Sequence, residues 1–443
     1  MLSEARCREI FETIRRASAA DETEVFLEAS RSALTRFANN IIHQNVAEEG
    51  IHVSVRALAD GRTARASANK TDEAALRRVA ERAVESARWQ PKDPDLLPLP
   101  EPQSYRAMAR YDEETATLTP EARADAVAKV VARAEKYHLT AAGIYSQSSS
   151  TQALLNSRGL FAVNRETRAE FSVTYLDGGS GWAKGNFTRV GDLNVEELAE
   201  RACEKALANR EPEEIPPGRY TVILEPAAVL DLVGFLFYDF AGTAVLDKRS
   251  CFTDQLGKKV FGENISITDD VYHPLQAGAL WDGEGMPRRA VPLVERGVLK
   301  NLVYARHTAR KMQAEPTGHG MLLPNEWGEA PMNLVFAGGN TSLEEMIRTT
   351  DRGVLVTRLW YIREVDPYEK ILTGMTRDGT FLVGNGQVGP ALRNLRFNQS
   401  IKEMLNQVEL LGPAVRAAGE ESFEMVVPAM RVANFHFSEV TKY

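Results

Sequence analysis

Histidines spaced one helical turn apart are the clearest sign of a hydrolytic metal centre, because two imidazoles on one helix face can hold zinc. The chain contains seven histidines, and no two of them stand four or five residues apart. The nearest grouping of possible ligands is Asp269, Asp270 and His273, at the end of a predicted strand. A catalytic zinc site needs three convergent ligands, so an active hydrolase built on this grouping is the least favoured interpretation. His307 and His319 are expected at the surface.

Two glycine-rich motifs could also indicate chemistry. Residues 384–389 read GNGQVG and match the dinucleotide-binding pattern G-x-G-x-x-G letter for letter. That pattern must open a helix in a βαβ unit, whereas Pro390 follows it here and Asn385-Gly386 is a preferred pair for a tight β-hairpin. Residues 178–181 read GGSG, but Trp182 stands where a nucleophile elbow requires glycine. The sequence therefore predicts turns at both places.

The long apolar stretch at residues 227–245 is predicted to form a buried helix. Asp231 and Asp239 lie inside it, and each would cost roughly 2.5–3.5 kcal/mol at the centre of a membrane, so we expect no membrane span. Residues 235–245 are apolar almost all round, which is typical of a core helix. Asp231 and Tyr238 fall on nearly the same helix face, and a buried carboxylate there needs hydrogen-bond partners from neighbouring strands.

Composition indicates an ordinary soluble protein. The 443 residues are 44% hydrophobic and 26% charged, which is enough for a large core without disulfides. The net charge of −8 argues against a nucleic-acid binder, which needs clustered lysine and arginine. Cys7, Cys203 and Cys251 are odd in number and far apart, which favours reduced thiols in a cytoplasmic protein.

The order of predicted elements indicates an α+β fold. Helices are expected at residues 3–19, 72–89, 119–136 and from residue 194, with strands between them. A stretch rich in proline and glutamate at residues 211–218 predicts a domain boundary. Residues 1–215 would form an N-terminal domain of antiparallel sheet with packed helices. Residues 216–443 would form a β-rich C-terminal domain that carries the buried helix.

Two stretches carry a resemblance to a known family. The first reads LTRFANNIIHQ at residues 34–44 and is followed by VSVRA and the turn Asp60-Gly61-Arg62. The second reads DGEGMPRR at residues 282–289 and is followed by LVERGVLKNL. With the helix at residues 72–89 and a proline-rich segment after it, these stretches follow the family's order along most of the chain. On these residues the chain resembles the TldD/PmbA family of peptidase subunits.

That resemblance implies a metal site whose ligands are missing from this chain. In the catalytic subunit of the family, TldD, a helix carries H-E-x-x-x-H, in which two histidines bind zinc and the glutamate activates water. The resemblance sets Tyr238 at the first histidine, Asp239 at the glutamate and Thr243 at the second histidine, after Gly242. Neither tyrosine nor threonine replaces neutral imidazole as a zinc ligand. TldD also has a cysteine ligand near its C-terminus, and no cysteine follows Cys251 here. The implied type is PmbA (TldE), which has no metal or catalytic residue of its own.

The resemblance also implies partners. In the family's pattern, a metal-free subunit forms a heterodimer with a TldD-like catalytic subunit, whose zinc cleaves unfolded or modified peptides. This chain would bind no cofactor itself and would contact the peptide through strand edges or loops such as residues 281–289. The alternative is a metal-free homodimer that binds peptides without cleaving them. A TldD-like reading frame beside the gene would favour the heterodimer.

Overall fold

In the computed structural model, which describes residues 1–441, the N-terminal half is built on one long sheet. Its elements are α1 (Glu4–Ala17), β1 (Glu22–Ala38), β2 (Ile41–Ala59), β3 (Arg62–Ala68), α2 (Glu73–Arg88), α3 (Glu113–Ala116), α4 (Pro120–Tyr137), β4 (Thr140–Asn156), β5 (Phe161–Asp177), β6 (Gly179–Phe187), a 3-10 turn (Val190–Asp192) and α5 (Val195–Ala208). The strands pair in the order β3-β2-β1-β4-β5-β6, and every pair is antiparallel. The antiparallel sheet with packed helices is confirmed.

Helices cover only one face of this sheet. Alternate side chains of a strand point to opposite faces, so neighbouring residues of β1 have different surroundings. Val25 and Leu27 belong to the core under α1 and α2, and Phe171 belongs to a second core under α4 and α5. Phe26 points to the other face, where it packs against Trp281 from the C-terminal half. The helix-free face of the sheet therefore meets the C-terminal half.

The C-terminal half is rich in strands, many of them short. Its elements are β7 (Gly218–Leu224), α6 (Pro226–Val233), a 3-10 helix (Gly234–Phe240), α7 (Gly242–Leu246), β8 (Ile267–Asp269), β9 (Val291–Glu295), β10 (Val298–Leu299), α8 (Arg306–Met312), β11 (Leu334–Phe336), α9 (Leu343–Arg348), β12 (Arg352–Asp366), β13 (Ile371–Gly384), β14 (Gln387–Ala391), β15 (Leu395–Ser400), α10 (Ile401–Asn406), β16 (Val408–Ala417) and β17 (Met425–Val440). Strands β7, β12, β13, β15 and β17 pair in turn and close a ring. Buried residues of α6 share one core with this ring, and the predicted α+β class is confirmed.

The buried helix expected in the apolar stretch is broken into three pieces, so the prediction of one continuous helix is wrong. After α6 and the 3-10 helix, Ala241 adopts an extended conformation (ψ 131°) before α7 begins. Here the backbone pairs with Val303, whose N–H donates to the oxygen of Phe240 (2.9 Å) and whose oxygen accepts from Gly242 (3.0 Å). A Cβ atom on Gly242 would lie 2.5 Å from the ring of Tyr304, so the close approach requires glycine.

The state of the cysteines and the lack of a membrane span were both predicted from the sequence. Cys7, Cys203 and Cys251 are buried free thiols. Among the residues that the structure describes, no helix combines the length and the apolar character that a membrane crossing requires.

The dinucleotide-like motif forms the tight hairpin that its sequence predicts. Strand β13 ends at Gly384 and pairs with β14, which begins at Gln387. Asn385 and Gly386 both have positive φ, 49° and 76°, as a type I′ turn requires. The prediction of a turn is confirmed.

Replacing Gly386 by alanine should lower the free energy of unfolding by about 1–3 kcal/mol. The new Cβ atom would lie 2.5 Å from the backbone oxygen of Arg348 in a left-handed conformation. Gly191→Ala is the control, because nothing lies within 4 Å of a Cβ atom built there. Urea denaturation measures both variants, and equal stability would contradict this account of the turn.

Candidate functional site

Two of the three motif positions line one cavity of about 530 Å³ in the C-terminal half. Tyr238 and Asp239 belong to its wall, whereas Thr243 does not. We call this cavity the motif pocket. Its aromatic and charged lining consists of Phe235, Phe237, Tyr238, Phe423, Asp239, Arg249, Glu364, Lys370, Glu420 and Glu421. The break before α7 therefore separates the third position from the other two.

Asp239, which the resemblance in sequence sets at the glutamate of the metal motif, is held in a buried ion pair. Its side chain is 4% exposed, and its Oδ2 lies 2.6 Å from Nζ of Lys370. Its Oδ1 accepts the N–H of Cys251 at 2.9 Å. Lys370 also lies 2.7 Å from Oε1 of Glu364. Burial by itself would lower the pKa of Lys370, but the two carboxylates raise it above its ordinary value, so the ammonium stays charged beside Asp239.

Tyr238, which the resemblance sets at the first histidine of the motif, has its hydroxyl engaged on two sides. The hydroxyl donates to the backbone oxygen of Trp327 (3.2 Å) and accepts from Nη2 of Arg249 (3.2 Å). The Trp327 ring meets the tyrosine ring edge-on, with 5.0 Å between the ring centres. These contacts fix the tyrosine as part of the pocket wall.

Thr243, which the resemblance sets at the second histidine of the motif, donates hydrogen bonds to a different buried acid, Glu329. Its N–H donates to Oε1 of Glu329 (2.6 Å) and its hydroxyl donates to Oε2 (3.1 Å). The hydroxyl of Thr308 (2.9 Å) and the N–H of Ala305 (3.2 Å) complete the shell. Burial raises the pKa of Glu329, and these hydrogen bonds oppose the rise.

This donor set does not fit zinc. Zinc sites in proteins use thiolate, imidazole and carboxylate ligands, whereas here a tyrosine, an acid paired with lysine and a threonine occupy the three positions. Across residues 1–441, no three His, Cys, Asp or Glu side chains are grouped so that they could hold a metal ion. No metal-dependent step follows from these residues, and the predicted lack of zinc on this chain stays a prediction.

Asp269, Asp270 and His273 do not converge into a site. Asp269 is fully buried, and its Oδ1 lies 2.8 Å from Nε2 of His319. Asp270 and His273 instead accept backbone N–H groups of their own turn. His319 is 1% exposed, so the predicted surface location is wrong. Its partner is fifty residues away in sequence, and no local pattern indicated the pair.

Asp231 anchors the loop that closes the motif pocket, residues 418–424. Its Oδ2 accepts the N–H of Leu359 in β12 (3.2 Å), and its Oδ1 accepts the N–H of Glu421 in the loop (3.4 Å). The Glu421 carboxylate in turn accepts the N–H of Tyr361 (2.8 Å). Burial raises the pKa of Asp231 to about 7. The expectation that a neighbouring strand supplies a hydrogen bond to this carboxylate is confirmed.

A second cavity, of about 600 Å³, lies between the helix-free face of the N-terminal sheet and loops of the C-terminal half. We call it the interdomain cleft. Phe26 and Gln152 line it from the sheet, and Trp281 and Arg288 line it from the opposite side. The loop at residues 281–289, which the sequence suggested for peptide contact, therefore borders a cavity.

Most of the chain is similar in sequence to the models of one known protein family. The sequence matches three models described as PmbA/TldA metallopeptidase domain 1, central domain and C-terminal domain. The matches cover residues 23–87, 111–210 and 217–439. The first two fall on the strands and helices of the single N-terminal sheet.

Individual relatives are distant but cover much of the chain. A metalloprotease of Methanothermobacter thermautotrophicus is 27% identical over 61% of this chain and 62% of its own length. Metalloprotease PmbA of Escherichia coli O157:H7 is 22% identical over 83% of this chain and 82% of its own length. The crystal structure of TldE from Thermococcus kodakarensis matches with a TM-score of 0.89 at 22% identity, over 98% of this chain and 100% of that chain. The structural likeness establishes the shared fold.

Replacing Lys370 by methionine should lower the free energy of unfolding by about 3–5 kcal/mol, because it leaves the buried Asp239 without its cation. The double variant Asp239→Asn/Lys370→Met should recover most of the loss, since no unpaired charge remains. Lys402→Met is the control, because Lys402 pairs with Glu369 at the surface and such pairs contribute about 1 kcal/mol or less. Chemical denaturation measures all three, and a double variant as unstable as the single one would refute the ion-pair account.

The deprotonation of Asp231 should lower the free energy of unfolding as the pH rises from about 4 to about 7. The folded state keeps a proton on this carboxyl up to a pKa of about 7, whereas an unfolded aspartate loses it near pH 3.9. Asp231→Asn should reduce the change in the free energy of unfolding between pH 4 and pH 7 by about 2–4 kcal/mol, even if the variant is less stable at every pH. Urea midpoints across the range measure it, with the exposed Asp125→Asn as control. An unchanged slope would contradict the prediction.

Proposed function

Because the chain belongs to the PmbA/TldD metallopeptidase family, we propose that it is the non-catalytic subunit of a peptidase complex whose TldD-like partner carries the zinc. The ion pair between Asp239 and Lys370 carries this proposal. A general base needs a free oxygen directed at the attacking water. Asp239 instead faces a buried ammonium and a backbone N–H, so it is unsuited to that role.

The two flanking positions support the same role. The hydroxyl of Tyr238 donates a hydrogen bond to the backbone oxygen of Trp327, and Thr243 donates two hydrogen bonds to the carboxylate of Glu329. Neither side chain offers the nitrogen lone pair that makes histidine a strong zinc ligand. The three substitutions together remove metal binding and water activation while the surrounding fold persists.

A free sheet edge supports the proposal of a partner subunit. Residues 41–52 of β2 pair with β1, while β3 covers only the following part of the strand. Most of these residues are exposed. A long edge with unpaired backbone groups accepts an added strand, and we propose that the TldD-like subunit provides it. The proposal includes a cytoplasmic location, supported by the three free thiols.

Mixing the purified chain with a TldD-like subunit that carries H-E-x-x-x-H should give zinc-dependent cleavage of an unfolded peptide. Neither activity nor stoichiometric zinc is expected on this chain alone. Mass spectrometry of the peptide products and elemental analysis of each protein measure the two quantities. The control mixture contains a partner whose first motif histidine is replaced by alanine.

Two results would overturn the subunit role. The first is stoichiometric zinc on this chain alone together with cleavage. The second is a stable homodimer that binds the peptide and has no effect on the TldD-like subunit, which would establish the alternative of a peptide-binding homodimer. Light scattering measures the oligomeric state in the same samples.

A further inference from the structure

Three buried polar atoms beside the interdomain cleft have no hydrogen-bond partner. They are Nε1 of Trp281, Nε of Arg288 and Oε2 of Glu166, and all three side chains line the cleft. The large majority of buried polar groups in folded proteins have partners. Two unpaired donors and one unpaired acceptor around one cavity point to a bound molecule that carries both kinds of group.

The side chains that carry these atoms are held in place by other contacts. Trp281 is 6% exposed and packs edge-on against Phe26, with 6.5 Å between the ring centres. A second nitrogen of Arg288 donates to the side-chain oxygen of Asn333. The Glu166 carboxyl is held by the side chain of Asn164 and the backbone N–H of Gly278, which oppose the rise that burial causes in its pKa. The unpaired atoms are therefore positioned before any ligand arrives, which lowers the cost of binding.

The charges around the cleft argue against an anionic ligand. Arg168 pairs with Glu170 and Glu424. The guanidinium of Arg416 donates to the backbone and side-chain oxygens of Asn186 and to the oxygen of Leu275. Arg168 and Arg416 are thus already engaged, so a phosphate or carboxylate would have to displace existing partners. Arg288, the other cation of the lining, interacts with the buried acids Asp269 and Asp282, which oppose a further negative charge. A neutral ligand with its own donors and acceptors fits better.

The apolar part of the cleft is adaptable. Met321 and Met332 line it and are 39% and 43% exposed. Methionine side chains are flexible and polarisable, and surfaces rich in them accommodate varied apolar groups. A cleft with fixed polar atoms and adaptable apolar walls suits a ligand with a constant backbone and variable side chains.

We propose that the interdomain cleft binds the main chain of an unfolded peptide. Carbonyl oxygens of the peptide accept hydrogen bonds from Trp281 and Arg288, and a peptide N–H donates to Glu166. Every residue of a polypeptide supplies one donor and one acceptor, so this recognition is independent of sequence. The choice of a peptide as ligand rests on the proposed function, whereas the cleft and its unpaired atoms do not depend on it.

The test is Trp281→Phe in the full chain, which keeps an aromatic ring and removes the indole N–H. That N–H has no partner in the free protein, so the fold should persist with only the modest loss of thermal stability that a smaller buried ring causes. The affinity for fluorescein-labelled casein peptides should fall about five- to tenfold. Fluorescence anisotropy measures the affinity. Trp89→Phe is the matched control, because Trp89 is 83% exposed at the end of α2 and should leave binding unchanged.

Glu166→Leu, which removes the unpaired acceptor, provides a second variant and should also weaken binding. The proposal is overturned if Trp281→Phe binds like the unmodified chain, if both tryptophan variants weaken binding equally, or if the unmodified chain does not bind the peptides. Cleavage by the mixture with a TldD-like subunit is scored separately. If the mixture cleaves the peptide but Trp281→Phe binds it normally, the peptide site in the cleft is rejected and the subunit role is kept. If Trp281→Phe weakens binding but the mixture does not cleave, the peptide site is kept and the subunit role is rejected.

Discussion

A charged group buried in protein needs opposite charge and hydrogen bonds around it, and Lys370 illustrates how much structure that requires. Lys370 lies at the turn between β12 and β13 with a positive φ of 49°, and two carboxylates surround its ammonium. One of them, Asp239, comes from the 3-10 helix that follows α6. The strand ring and the interrupted helix are thus joined at one ion pair, which also forms part of the wall of the motif pocket.

Other buried acids follow the same principle with backbone donors in place of a cation. Asp231 joins α6 to β12 and to the loop at residues 418–424. Glu329 accepts N–H groups at the beginnings of α7 and α8, where helices leave donors unpaired. Asp282 accepts three N–H groups from two loops. A half with many short strands has many unpaired backbone donors, and these carboxylates satisfy several of them.

The sequence predicted the N-terminal sheet and its helices well, because much of β4 and β5 alternates between buried and more exposed residues and the helices begin with recognisable capping residues. It failed where a distant segment decides local structure. The helix breaks before Gly242 because the backbone there pairs with Val303, and hydrophobic periodicity contains no information about that pairing. The motif positions came from resemblance, whereas Lys370 and Glu329, which decide what those positions do, gave no local signal.

The ion pair also makes the motif pocket difficult to alter by single substitutions. A histidine at position 238 would still line a pocket in which Lys370 pairs with Asp239, and a histidine at position 243 would deprive Glu329 of a hydroxyl donor. Removing Lys370 first would expose the fold to an unpaired buried charge, at a cost of about 3–5 kcal/mol. Substituting Thr243 or Lys370 alone therefore leaves a buried carboxylate with one partner fewer. The contacts of Tyr238, Asp239 and Thr243 are therefore interlocked with the fold, so that a change of chemistry at any of these positions is also a change of stability.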